Sequence, residues 1–228
     1  MLNLRREFSI VLVSLVMFFI MGVAAHAQTV RQIVMIDPAH GGEDTGVIGA
    51  DKAAEKDLTL AIALAIKKEL SGDPRIEIVL TRESDKTITV EERKTMILRT
   101  KPALILSLHV NAGFGRTASG FELYYPGFKN VDLPQSPAKQ GVTDLKTSHL
   151  NETVKLARLV RQNLDSLFPR KGRGLREAGV PQLEGLNAPG LIVEIGFATN
   201  PDEKKKLTSG KTQADIARAL ARSIKSYF

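Results

Sequence analysis

The sequence predicts an α/β fold: a single domain with a largely parallel (mixed) twisted sheet flanked by helices. Three observations carry this. Short apolar runs alternate along the chain with longer helical segments. Most of those runs are continuous rather than alternating apolar with polar, as strands buried on both faces require. The 228 residues are 43% hydrophobic, enough for one sizeable core, and no internal repeat or low-complexity linker interrupts the chain from Gln28 to Phe228.

Taken in order, Ile33–Ile36 reads as a buried strand that feeds Asp37-Pro38 and a glycine pair. Leu58–Leu70 is dense in Leu, Ile and Ala, ends in Lys67, Lys68 and Glu69, and is closed by Gly72, so it reads as a helix packed on the sheet. Ile76–Thr81 is a second strand. Thr89-Val90-Glu91-Glu92 has the form of a capping box and opens a helix that Lys101-Pro102 stops near Thr100. Ala103–Leu108 is a third strand running into His109, and Phe121–Tyr125 a fourth. From Pro126 to about Thr147 Gly, Pro, Lys and Asp occur without period, which predicts a surface loop. Glu152–Phe168 returns to helix, Leu191–Ile195 is a last buried strand, and Gln213–Tyr227 a terminal helix.

The first 27 residues are expected to lie outside this domain. Arg5 and Arg6 precede an apolar run from Ser9 to about Ala25, and Ala25-His26-Ala27 places small residues where a signal peptidase cuts. The reading is a secretory signal peptide over 1–27 and a catalytic domain over 28–228. An uncleaved anchor is the alternative, but the run of roughly 17 residues sits at the lower limit for spanning a bilayer. There is no second long apolar run, so no stable membrane insertion is expected after cleavage. The chain contains no cysteine, so any metal site must use histidine and carboxylate.

The net charge is +7, which favours anionic partners. Export argues against nucleic acid and leaves cell-wall polymer and phospholipid head groups; simple solubility accounts for the same charge equally well, so charge alone does not choose.

Three histidines remain once His26 is set aside. His40 and His109 both follow predicted strands, at the carboxyl edge where open α/β sheets bind ligands. Glu194 lies inside the apolar run Leu191–Phe197, where an ionised carboxylate is penalised unless it is paired, protonated or beside a metal. A strand end reaching solvent, or a salt bridge to Arg82, would also account for it. Glu55 alone is most simply an acid at a helix N-terminus. Two histidines and a carboxylate are a ligand set of catalytic zinc, with a further carboxylate free to move protons. Gly41, Gly42 and Gly46 keep the loop around His40 small. The H-E-x-x-H arrangement is absent.

At these residues the chain resembles the zinc-dependent N-acetylmuramoyl-L-alanine amidases of the amidase-3 type, over essentially all of Ile33–Phe228. Ile36–Gly46 is similar to the family's D-P-G-H-G-G-x-D-x-G, Glu55–Leu60 to E-K-x-x-N-L, and Thr81–Asp85 to T-R-x-x-D. Ser107–Ala112 resembles S-x-H-x-N-A, Gly120–Tyr125 G-x-E-x-Y-Y, and Val193–Asn200 V-E-x-G-F-x-x-N. Six motifs in order are far more specific than any one. Ala39 replaces a glycine and Thr59 a common asparagine; neither removes a ligand. His149 matches no motif and reads as a surface or loop residue.

The resemblance implies one Zn²⁺ per chain on His40, Glu55 and His109, with Glu194 as the catalytic acid and base. The expected reaction is hydrolysis of the amide between N-acetylmuramic acid and L-alanine of the peptidoglycan stem peptide. The expected form is an exported monomer without nucleic-acid partners, in a periplasm rather than an extracellular wall. The 126–147 stretch is too short and aperiodic for the plugging helix of some relatives, and no protein activator can be named. The rivals are a zinc peptidase cutting within the stem peptide, a non-catalytic peptidoglycan-binding protein, and a basic protein binding nucleic acid or membranes.

Overall fold

In the computed structural model, which describes residues 30–49, 53–113, 115–126, 139–168, 172–179, 181, 183 and 188–228, six strands form one mixed sheet. The elements are β1 (Gln32–Pro38), α1 (Glu55–Leu70), β2 (Ile76–Leu80), α2 (Val90–Thr100), β3 (Leu104–Asn111), β4 (Phe121–Pro126), α3 (Lys139–Leu164), β5 (Gly172–Ala178), β6 (Gly190–Phe197), α4 (Pro201–Leu207) and α5 (Gly210–Tyr227). The sheet order is β2-β1-β3-β6-β4-β5. β1 pairs parallel with β2 and β3, β3 with β6, and β4 with β5. Only β4 and β6 run antiparallel, so the α/β prediction holds with its mixed qualifier.

The two faces of the sheet are covered unequally. On one, Leu58, Ile62 and Ile66 of α1, Leu156 and Val160 of α3, and Ile216, Leu220 and Ile224 of α5 share a core with Val34, Ile36, Leu106 and Val193. On the other, a smaller cluster joins Met35, Ile105, Ile192 and Leu183 to Ile97 of α2. Continuous apolar strands follow from this double coverage. The helix α2 starts as the sequence indicates: Glu92 Nα donates to Thr89 Oγ1 (3.2 Å), and Thr89 Nα donates back to Glu92 Oε2 (2.7 Å). It stops on Lys101, which adopts a left-handed φ of 48° before Pro102.

The largest departures from the sequence reading are the two ends of α3 and two elements it did not expect, β5 and α4. α3 begins at Lys139, so residues 139–147 of the expected loop are helical; 127–138 lie outside the described residues, as does the expected signal peptide over 1–27. Gly141 and a mixed polar sequence hid the start of this helix. It also ends at Leu164, short of Phe168. β5, with the sequence Gly-Arg-Gly-Leu-Arg-Glu-Ala, was not expected as a strand. It is an edge strand, needing only backbone pairing with β4, so neither apolar run nor alternation marks it. α4 has no apolar period either, yet Asn200 caps it by accepting from Asp202 Nα and Glu203 Nα, and Pro201 opens it. Among the described residues no helix is long and apolar enough to cross a membrane.

Candidate metal centre

β1 and β3 are neighbours, and the chain leaves β1 through a tight loop that returns at α1. His40, two residues past β1, takes a left-handed φ of 62°, a strained backbone for a histidine. Two buried arginines hold that turn. Arg82 donates to the carbonyls of Pro38 (3.0 Å) and Ala39 (2.8 Å), and Arg93 donates to the carbonyl of His40 (2.7 Å). Arg93 is anchored in turn by an ion pair with Asp37, a fully buried carboxylate that also accepts from Thr81 Oγ1 (2.6 Å) and Ser107 Oγ (3.1 Å). Arg82 therefore pairs with backbone carbonyls and not with Glu194. Thr59, where the family has asparagine, donates to the Ala39 carbonyl (3.2 Å), and the Cβ of Ala39 is buried without a positive φ. Both departures fit the turn.

The structure brings His40, Glu55 and His109 together: one ligand atom of each lies within 4.8 Å of the others. Glu55, in the first turn of α1, is buried (3% exposed), which no simple helix-start acid would be. Its Oε2 faces His40 Nε2 at 3.1 Å and accepts from Val47 Nα (3.0 Å). Its Oε1 faces His109 Nδ1 at 3.2 Å and accepts from Val110 Nα (3.0 Å). Burial opposes the charge on Glu55, but the hydrogen bonds from His109, His40 and the two amides outweigh it and hold the carboxyl well below the usual range. The same bond to Glu55 raises the His40 imidazole to about 9, against the opposing effect of burial. Protons and a metal ion compete for these nitrogens.

Three features of the surroundings fit a metal. His40 Nδ1 donates to Asp44 Oδ2 (2.8 Å), which leaves Nε2 as the inward atom. A Cβ on Gly46, itself at φ 62°, would stand 2.5 Å from His40 Cδ2 and 2.6 Å from Glu55 Oε2, so only glycine lets both groups converge. The donors are two imidazoles and one carboxylate, the set that suits catalytic zinc. Asp44 was not singled out from sequence, although its position four residues after His40 was visible. Asp44→Asn is expected to weaken metal affinity by about 10- to 100-fold without unfolding the protein, measured by competition with a chelating dye; unchanged affinity would remove Asp44 from the site.

β3 runs on to Asn111, so His109 lies within the strand and not past its end, directly opposite Glu194 on β6. Glu194 is opposite Glu122 on β4. His109, Glu194 and Glu122 therefore point to one face of the sheet in consecutive strands. Glu194 Oε2 is buried and, among the described residues, is the side-chain oxygen left without a hydrogen-bond partner. Burial raises its carboxyl to about 7; the His109 charge acts against this, and Glu55 and Glu122 add to it. A cavity lined by His109, Tyr124, Ile192, Glu194, Ala178 and Pro181 opens beside it. His149 lies on α3 and takes no part in this cluster.

The profile of the N-acetylmuramoyl-L-alanine amidase family (amidase-3) matches residues 34–226. A putative N-acetylmuramoyl-L-alanine amidase of Buchnera aphidicola subsp. Schizaphis graminum is 29% identical over 224 residues, covering 85% of this chain and 95% of its own length. The N-acetylmuramoyl-L-alanine amidase AmiC of Escherichia coli O6:H1 is 25% identical over 219 residues; the match covers 86% of this chain and 52% of that protein. Among solved structures, the N-acetylmuramoyl-L-alanine amidase AmiC2 of Nostoc punctiforme superposes with a TM-score of 0.70 at 28% identity, over 87% of this chain and 98% of that one.

Proposed function

The chain belongs to the amidase-3 family of N-acetylmuramoyl-L-alanine amidases, and from that premise we propose that it cleaves peptidoglycan with a zinc ion held by His40, Glu55 and His109 and with Glu194 as proton carrier. The enzyme class is that of its relatives, and the bond is the amide between N-acetylmuramic acid and L-alanine. The observation that carries the roles is the placement of Glu194. Its unpartnered oxygen lies in register beside His109, and its proton affinity is close to neutrality.

Zinc, when bound, supplies Lewis acidity, bringing the pKa of a water to about 7 and polarising the carbonyl under attack. The protein supplies the remainder. Glu55 contributes the negative charge of the site and is fixed by Val47 and Val110, so the two imidazoles meet a carboxylate already in place. Asp44 holds the His40 ring in the tautomer with Nε2 directed inward. Glu194 takes the proton of the attacking water as the carbon–oxygen bond forms. It returns that proton to the nitrogen of L-alanine as the carbon–nitrogen bond breaks. A carboxyl group near neutrality suits both halves of this exchange, since it can accept and release within one turnover.

Residues 1–27 act, in this reading, as a cleaved export signal that delivers a monomer to the periplasm. The basic pair Arg5-Arg6, the apolar run and Ala25-His26-Ala27 support it. A mature N-terminus at Gln28 on the exported protein is the check; a full-length, membrane-bound chain would contradict it.

The reaction itself is tested on purified sacculi. Intact stem peptides with a free L-alanine amine are expected by mass spectrometry. Fragments cut inside the stem peptide would instead identify a peptidase, and binding without release a non-catalytic wall protein.

A further inference from the structure

From the strand register beyond Glu194 we infer that Arg176 is a specificity residue, which binds the carboxylate carried by the peptide residue that follows L-alanine. The inference rests on the proposed amidase reaction and adds the direction in which the leaving peptide lies. In that reaction Glu194 gives its proton to the leaving nitrogen, so the peptide must depart from the Glu194 side of the triad. On that side the sheet continues through β4 to β5. Glu122 is opposite Glu194, and Arg176 of the edge strand β5 is opposite Tyr124. All four side chains share the face that carries His109.

The setting of Arg176 is that of a ligand contact more than of a structural brace. Glu122 is buried, and its Oε2 accepts from Asn111 Nδ2 (2.8 Å) and Tyr124 Oη (2.6 Å). Arg176 Nη1 stands 3.7 Å from the other oxygen, beyond hydrogen-bond range. Its side chain is 54% exposed, and a pair of that kind contributes little to stability. It lines a second cavity with Asn111, Glu122, Tyr124 and Phe197, next to the one that opens on Glu194. Among the described residues lining the two cavities it is the one arginine or lysine, set beside two carboxylates that would otherwise repel an acidic peptide.

The distances agree with the chemistry. Two residues of extended peptide span about 7 Å. Neighbouring strands lie about 4.8 Å apart, and Arg176 Nη1 reaches back to within 3.7 Å of Glu122, the residue opposite Glu194 on the adjacent strand. A peptide whose nitrogen sits at Glu194 therefore brings the next residue's carboxylate to Arg176. The planar guanidinium can take both of its oxygens. The Glu122 carboxylate at 3.7 Å attracts the head group to this side without taking up its donors.

The test compares two muropeptides that differ only at this residue, one with the free carboxylate and one with the carboxamide, in full kinetic runs. The zinc-loaded enzyme is expected to favour the carboxylate form by about tenfold in kcat/KM, mostly through KM. Arg176→Ala should bring that ratio close to one, and Arg176→Lys should keep part of it. Equal use of both substrates by the wild type, or an unchanged ratio in Arg176→Ala, overturns the inference while leaving the amidase reaction intact. Failure of the wild type to cleave either substrate counts against the reaction, and the inference falls with it.

Discussion

Glu194→Gln is expected to bind zinc at the wild-type level and to lose about three orders of magnitude in kcat, the scale of a positioned acid-base group. The amide keeps the shape of the side chain and occupies the same place beside His109, so the triad is undisturbed. What it loses is the capacity to take a proton from water. Metal content by atomic emission and turnover on muropeptides together check this; a variant that keeps both metal and rate would sink the role.

The pH dependence follows from the same residue. Burial raises Glu194 to about 7, and the base must be ionised to act. The rate kcat/KM should thus rise with pH on its acid limb, with a midpoint at or below about 7, because a dication at the triad favours the carboxylate. The effect on stability has the opposite sense. A carboxyl with a raised folded-state pKa stabilises the fold fully at pH values below its ordinary range and loses that contribution as pH climbs towards about 7. After chelation, Glu194→Gln should therefore melt higher than wild type at pH 8, with the gap closing near pH 4.

The second large effect concerns Glu55. Glu55→Gln is expected to retain the fold and to fall below about one-tenth of a zinc per chain at micromolar metal, with activity lost in proportion. A glutamine can still accept from one of the Val47 and Val110 amides, but it cannot supply the negative charge that opposes a dication. Circular dichroism separates loss of metal from loss of fold. Stoichiometric zinc in this variant would contradict the ligand set. Removing metal from the wild type should abolish activity in the same way, and added zinc should restore it.

The contrast between Glu194 and Glu55 shows what could be read from the chain. The strands carrying His109 and Glu194 were legible because double-sided burial leaves continuous apolar runs, in which a charged residue stands out. Glu55 was not legible in that way: its setting depends on Val47, eight residues earlier in the chain, turning its amide onto the carboxylate, and only the family motifs pointed to its role. The part Arg82 and Arg93 play at the turn was not legible because, apart from the ion pair of Arg93 with Asp37, the groups they hold there are backbone carbonyls, which leave no mark in sequence. β5 and the first turns of α3 were missed because a polar edge strand and a polar, glycine-containing helix start have no apolar period to detect. The missed strand is also the one that carries Arg176.

Zinc K-edge X-ray absorption on the loaded wild-type protein reads the ligand set of His40, Glu55 and His109 itself. One zinc per chain is expected, bound by two imidazole nitrogens and oxygen at about 2.0–2.2 Å, with the two-imidazole signal falling to one in His109→Ala. A shell with fewer than two imidazoles, or one unaffected by that substitution, would contradict it.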